Sequence, residues 1–332
     1  MSTGSQAGST SQAFIVVIGR NEGARLVSAL NSVHPGANTV VYVDSGSTDD
    51  SVQSAERAGA IVAALDMDKP FSAARARNLG VSIALQRGTT ADFVQFMDGD
   101  CDLDERWLAT ATAFLVAHPE VAIVCGRRRE KFPERSIYNA LCDMEWDTPI
   151  GEARECGGDF LARISAFQQV GGFAEHMIAG EEPELCARLR GAGWKIWRVD
   201  APMTRHDANI LHWTQWWRRS KRCGYAYAAL AELHGNGPDK LKRRELSSAI
   251  LWGGMLPALI VLGAMIYPPI AAVALVYPAQ IARIAYRRAK MGKGAIPFAV
   301  SVVAGKFAEF AGITKFALTR LMGRKGRLIE YK

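Results

Sequence analysis

Two carboxylates two residues apart, Asp98 and Asp100 on either side of Gly99, close the apolar run Phe93-Val94-Gln95-Phe96-Met97. Oxygen donors at that spacing hold a hard divalent cation, and positions left open on the ion would face a diphosphate. The carboxyl edge of an open α/β sheet is where such ligands bind. The same tripeptide also suits a solvated acidic turn that caps a helix. The surrounding elements decide between the two.

Those elements are legible as short, β-branched apolar runs: Phe14–Ile18, Thr39–Val43, Ala60–Ala64, Phe93–Met97 and Val121–Val124 read as buried strands. Helical patterns lie between the early ones, at Ala24–Val33, Asp50–Ala58 and Ser72–Gln86, with Ser47-Thr48-Asp49-Asp50 offering N-caps to the second. The alternation predicts an α/β fold, a mostly parallel Rossmann-like sheet flanked by helices. After Gly126 the pattern turns irregular through about Gly180, as long functional connections do. A helix at Glu182–Gly191 and a strand at Trp194–Val199 follow.

The chain has 332 residues and a net charge of +7, but from Arg283 onward twelve Lys or Arg face only Glu309 and Glu330. The basicity therefore belongs to the tail, which argues against nucleic acid and for an anionic membrane surface. Leu246 to Ala282 holds no charged residue and is bounded by Lys242-Arg243-Arg244 and Arg287-Arg288-Ala289-Lys290. Two spanning helices over 246–286, joined at Tyr267-Pro268-Pro269, fit that length, and basic clusters at both ends place both ends in the cytoplasm. A buried hairpin of a soluble protein is the alternative. The segment 295–323, broken by Lys306, Glu309, Lys315 and Arg320, reads as an interfacial amphipathic helix, followed by a basic tail over 324–332. Residues 1–12, rich in Ser, Gly, Gln and Thr, read as disordered and carry no signal peptide. Six widely spaced cysteines form no Cys-x-x-Cys pair, which excludes a zinc signature and fits reduced thiols.

Seven short pieces in order complete the pattern: Ile18-Gly19-Arg20-Asn21-Glu22, Val43-Asp44-Ser45-Gly46-Ser47-Thr48-Asp49, Arg77-Asn78-Leu79-Gly80, Asp98-Gly99-Asp100, Cys156-Gly157-Gly158-Asp159, Gly171-Gly172-Phe173, and Gly180-Glu181-Glu182-Pro183-Glu184-Leu185 with Arg188-Leu189-Arg190. In order and spacing they resemble, over roughly residues 13–225, the inverting family 2 glycosyltransferases of the GT-A fold in their membrane-anchored bacterial polysaccharide form, which implies a catalytic domain over 13–235.

The resemblance implies a nucleotide-sugar donor held by Arg20, Glu22, Asp44, Ser45, Arg77, Asp98, Gly158, Asp159 and Arg218. Asp44 would accept a base N–H, and Arg77 would fork onto the diphosphate or orient an acidic residue. Gly158 would let backbone approach the sugar, and Asp159 would reach its hydroxyls. Asp100 would ligate Mg²⁺ or Mn²⁺ directly, Asp98 would contact ribose or metal water, and His206 would be a further ligand. The base that takes the acceptor proton would be Glu182, which stands where the family has Asp, with Glu181 in reserve. Gln215-Trp216-Trp217-Arg218-Arg219 is similar to the Gln-x-x-Arg-Trp motif of processive members, although Trp precedes Arg here. Arg127-Arg128-Arg129 is a further candidate for phosphate or an acidic acceptor.

The expected activity is transfer of a sugar to a lipid-linked or saccharide acceptor at the cytoplasmic face of the inner membrane, with membrane lipid as a partner and no nucleic acid. The alternatives are a nucleotide-sugar-binding scaffold without turnover and a nucleotidyltransferase. The latter would need a Gly-rich basic loop that Gly19-Arg20-Asn21-Glu22-Gly23 lacks.

Overall fold

The computed structural model of the protein describes residues 13–34, 38–237 and 239–323. The expectations for 1–12 and for the tail 324–332 lie outside the described residues.

In chain order the first half runs β1 (Ala13–Gly19), α1 (Ala24–Val33), β2 (Val40–Asp44), α2 (Ser51–Arg57), β3 (Ile61–Ala64), α3 (Ala73–Gln86), β4 (Phe93–Asp98), β5 (Cys101–Leu103) and α4 (Trp107–Ala117). The second half runs β6 (Val121–Glu130), α5 (Ile137–Trp146), β7 (Gly151–Glu152), β8 (Phe160–Arg163), α6 (Ile164–Gln169), α7 (Glu181–Gly191), β9 (Lys195–His206) and α8 (Trp213–His234). The strands form one sheet in the order β3-β2-β1-β4-β8-β6-β9-β5, with β7 on β9.

β3, β2, β1 and β4 are parallel, as alternation with helices predicts. The side chains of β1, β2 and β4 are mostly apolar and buried on both faces, which helices cover, while those of the edge strand β3 are half-buried or exposed. Beyond β4 the sheet is mixed: β8 runs antiparallel between β4 and β6. The stretch expected to be irregular after Gly126 thus holds the last four residues of β6, the helices α5 and α6, and the strands β7 and β8. β8 is only four residues long, too short for an alternation to show. β9 continues to His206, well past the expected end at Val199. Of the N-cap candidates before α2, Asp50 holds the cap position without a side-chain bond, while Asp49 Oδ1 accepts from Ser51 N at 3.1 Å.

Two local devices aim α3 at the strand ends. Ser72 caps it, with Oγ accepting from Arg75 N at 3.2 Å and its hydroxyl donating to the Glu175 carbonyl at 3.0 Å. Gly80 rests on Val16 and Val43, where a Cβ would overlap Val16, so α3 lies close on the sheet.

Three helices follow that are long and apolar enough to cross a membrane: Arg243–Ile266, Pro268–Arg287 and Ala295–Leu321. The first two meet where expected. Tyr267, preceding Pro268, is extended at φ −137°, because proline excludes the helical region for the residue before it. Their apolar surface is uncovered, with Ile266 87% exposed. The third, expected to lie in the interface, also has the length and hydropathy of a span, and it packs along α8. Gly224 of α8 faces the Glu309 carbonyl, and Gly312 of the third helix faces the Lys221 carbonyl; a Cβ at either would overlap that backbone. Close helix contact through small residues is a membrane-type packing. Gly312→Leu is expected to cost about 1–3 kcal/mol by overpacking, read as a lower unfolding temperature in detergent.

Candidate functional site

A cleft of about 790 Å³ opens at the carboxyl ends of β1 and β4. Arg20, Glu22, Ser45, Arg77, Asp98, Asp100, Gly158, Glu181, Glu182 and His206 all line it. These are ten of the thirteen expected site residues, drawn from seven separate stretches of sequence.

Arg77 joins the two acidic motifs. Its Nη2 donates to Asp98 Oδ1 at 2.8 Å and its Nη1 to Glu181 Oε1 at 3.0 Å, from a guanidinium that is itself buried. Burial works against its charge, but Asp98 and Glu181 more than offset that and hold it charged. Of its two expected roles, the contacts are those of a residue that orients acids. Removing it would strand two carboxylates, so Arg77→Ala is expected to lose about 3 kcal/mol, measured by urea unfolding in detergent, with Arg77→Lys intermediate because one ammonium replaces a two-way fork.

Asp100 and His206 meet through sheet register. Cys101 of β5 pairs with His206 of β9, which leaves His206 Nε2 3.3 Å from Asp100 Oδ2. Two neighbouring ligands on an ion with bonds of about 2.1 Å sit about 3 Å apart, so this pair fits a shared divalent cation. Burial, with Arg128 adding to it, pushes the His206 pKa down to about 3, so the ring is neutral as ligation requires. Its Nδ1 is buried without a hydrogen-bond partner. With the proton on Nδ1, the Nε2 lone pair faces Asp100. Cys101 lies in the same cluster, but burial pushes its thiol well up and it bonds Asp159, so it suits no hard cation.

The acid pair opens α7. Gly180 starts it at φ +85°, a conformation glycine adopts without strain. Glu181 faces Arg77. Glu182 is turned inward, its Oε1 accepting from Cys156 N at 2.6 Å and from the Cys156 and Cys186 thiols at 3.1 Å each. Burial, with Glu155 adding to it, raises the Glu182 pKa above the ordinary carboxylate value. A Cβ at Gly158 would sit 3.1 Å from both Arg77 Nη2 and Asp98 Oδ2, tighter than ordinary contact.

Three expected residues are placed elsewhere. Asp44 does not line the cleft: its oxygens accept from Tyr42 Oη, Gly46 N and Ser47 N at 2.9–3.0 Å and shape the turn after β2. Asp159 is fully buried and does not line the cleft. It accepts from Asp98 N at 3.2 Å and Thr204 Oγ1 at 3.0 Å, bracing the acidic turn from beneath. Arg218 belongs to a separate pocket of about 270 Å³ with Trp213, Thr214 and Trp217. Gln215, the first residue of that motif, spends its side chain capping α8, accepting from Leu211 N and His212 N at 2.9 and 3.0 Å.

The cleft wall contains groups that sequence reasoning did not single out: Trp146, Arg222, Tyr227 and Lys242. Arg219 also lines it, one residue beyond Arg218. Of Arg127-Arg128-Arg129 only Arg128 faces it, 4.7 Å over the Trp146 ring and 3.5 Å from Asp159. The alternation of in and out along β6 is the signal that separates it from its neighbours.

Comparison with known proteins meets this geometry directly. The model of glycosyl transferase family 2 matches residues 14–167, the stretch that carries Asp98, Asp100 and Arg77. Residues 14–167 belong to glycosyl transferase family 2. Among its relatives, the pre-mycofactocin glycosyltransferase of Mycobacterium tuberculosis is 30% identical over 248 residues, 70% of this chain and 49% of that one. The O-antigen chain rhamnosyltransferase RfbN of Salmonella typhimurium is 27% identical over 51% of this chain and 57% of its own. The succinoglycan biosynthesis protein ExoA of Rhizobium meliloti is 28% identical over 58% and 62%. The chain thus spans about half to three-fifths of the curated relatives it matches. In fold it is similar to a mannosyltransferase of Pyrobaculum calidifontis solved with GDP-Man and Mn²⁺, with a TM-score of 0.64 at 18% identity over 93% of this chain and 88% of that one. That likeness establishes the GT-A architecture of this chain.

Proposed function

We propose that this protein is a membrane-associated inverting glycosyltransferase that moves a sugar from a nucleotide-sugar donor to a lipid-linked or saccharide acceptor at the cytoplasmic face of the inner membrane. The observation that carries the reading is Arg77, whose one guanidinium spans Asp98 and Glu181 and so draws the acidic triplet and the acid pair into one cleft. Residues 13–235 would form the catalytic part, 246–286 the spanning pair, and the third apolar helix would lie along α8.

Arg20, Glu22 and Ser45, on the loops after β1 and β2, would hold the nucleoside. Asn21 ties those loops together, donating from N to Ser47 Oγ at 2.9 Å and accepting from Thr48 N at 2.7 Å. Asp100 and His206, with Asp98 beside them, would hold Mg²⁺ or Mn²⁺, consistent with the ion in the P. calidifontis neighbour. When bound, such an ion supplies a Lewis acid for the departing nucleoside diphosphate. Gly158 lets backbone approach the sugar. Glu182 takes the proton from the acceptor hydroxyl as its oxygen attacks the anomeric carbon, a task suited to a carboxylate whose proton affinity burial has raised. The names of the O-antigen and succinoglycan relatives support a polysaccharide or lipid-linked acceptor. The wall made by α8, continuous with the apolar helices, suits an acceptor that stays in the bilayer.

The test is nucleoside diphosphate release by the detergent-purified protein against UDP-, GDP- and dTDP-sugars, with Mg²⁺, Mn²⁺ or EDTA and a membrane lipid extract. Release from donors of one base, abolished by EDTA, is expected. Donor binding without release under every condition would favour a non-catalytic scaffold.

A further inference from the structure

Glu182 is held more tightly than a base in a cleft requires. Cys186 lies one turn after it on α7, and Cys156 lies on the loop before Gly157-Gly158. Their sulfurs are 3.7 Å apart, and each is 3.1 Å from the same carboxylate oxygen, Oε1. With the Cys156 amide at 2.6 Å, Oε1 has three donors, all three side chains are buried, and the oxygen left for the cleft is Oε2. We infer that Cys156 and Cys186 are positioning residues that fix which oxygen of Glu182 faces the acceptor hydroxyl. This rests on the reading of Glu182 as the base.

The choice of sulfur has a chemical reason. A thiol is a weak donor and a hydroxyl a stronger one. Donors to the charged form of a carboxylate lower its proton affinity. Two thiols therefore orient Oε1 while leaving the group more basic than two hydroxyls would. The other charged and titratable groups around it are Glu155, Lys242, Cys125, Glu181 and, through Glu181, Arg77. None of them is altered by exchanging the two cysteines.

Two measurements test this. In the first, the pH profile of kcat is compared for wild type, Cys156→Ala/Cys186→Ala and Cys156→Ser/Cys186→Ser. The alanine pair is expected to lose about tenfold in kcat with donor KM little changed, about 1.4 kcal/mol, and to shift the acid limb to higher pH. The serine pair is expected to recover much of kcat and to shift the limb to lower pH. Opposite shifts are beyond a packing role, and an alanine pair with wild-type kcat and limb would overturn the inference. In the second, the S–H stretching band is recorded for wild type and Glu182→Gln, which needs no turnover. The band is expected to move when the charged acceptor is lost, and an unmoved band means the thiols do not hold Glu182. If the band moves but Glu182→Gln turns over normally, the contact stands, the base reading falls, and the positioning role falls with it.

Discussion

Asp100→Ala is expected to abolish metal-dependent release of nucleoside diphosphate, by about 10³-fold or more, while the protein still folds. The size follows from the several kcal/mol that a Lewis acid contributes to stabilising developing phosphate charge, at tenfold per about 1.4 kcal/mol. The survival of the fold follows from the contacts. Asp100 Oδ2 faces His206 and its Oδ1 accepts a weak thiol bond from Cys101 at 3.6 Å, while its backbone carbonyl, kept in alanine, accepts from Asp207 N at 3.0 Å. Mn²⁺ titration followed by electron paramagnetic resonance separates loss of the ion from loss of chemistry, and His206→Ala should weaken the same titration. Unaltered Mn²⁺ affinity in Asp100→Ala would remove Asp100 from the ligand set.

Glu182→Gln should keep donor and metal binding and lose turnover by about 10²–10⁴-fold, the range a positioned base contributes. Glutamine fills the same space and still accepts from the Cys156 amide, so the change isolates the proton. In the wild type a base must be unprotonated to act, and burial together with Glu155 raises the Glu182 pKa. The acid limb of kcat is therefore expected above the pH at which an ordinary glutamate titrates, with activity rising as pH rises through it. Glu181→Gln should fall less, because Glu181 is engaged with Arg77.

The parallel half of the sheet was legible because β1, β2 and β4 are buried on both faces and read as largely apolar runs between helices, and the edge strand β3 is short but apolar too. The mixed half was not. β8 is four residues, and the long β9 carries Arg198, Asp200 and Arg205 among its apolar positions, so neither shows a clean period. The cost fell on the site. Ending the last strand at Val199 hid the register that sets Cys101 against His206, and the pairing of His206 with Asp100 stood on resemblance alone. Asp159 shows the complementary failure. An acid beside two glycines reads as a ligand group, and only the packing reveals that it faces Thr204 and the Asp98 amide from below. Arg218 and Arg219 differ by one step of about 100° around a helix, and motif matching does not say which face the cleft takes.

The glycine contacts between α8 and the third apolar helix bear on where this protein can be divided. One face of α8 supplies Arg219, Arg222 and Tyr227 to the cleft, while Gly224 presses on the Glu309 backbone and Trp216 packs in a cluster that Ala304 covers. A chain ended at Gly235 would keep every residue assigned to the chemistry, yet one wall of its cleft would have lost its backing and would expose a groove shaped for another helix. The boundary between reaction and anchorage is thus a seam in the sequence without being a seam in the folded molecule, and the surrounding lipid or detergent becomes a determinant of how well the cleft holds its shape.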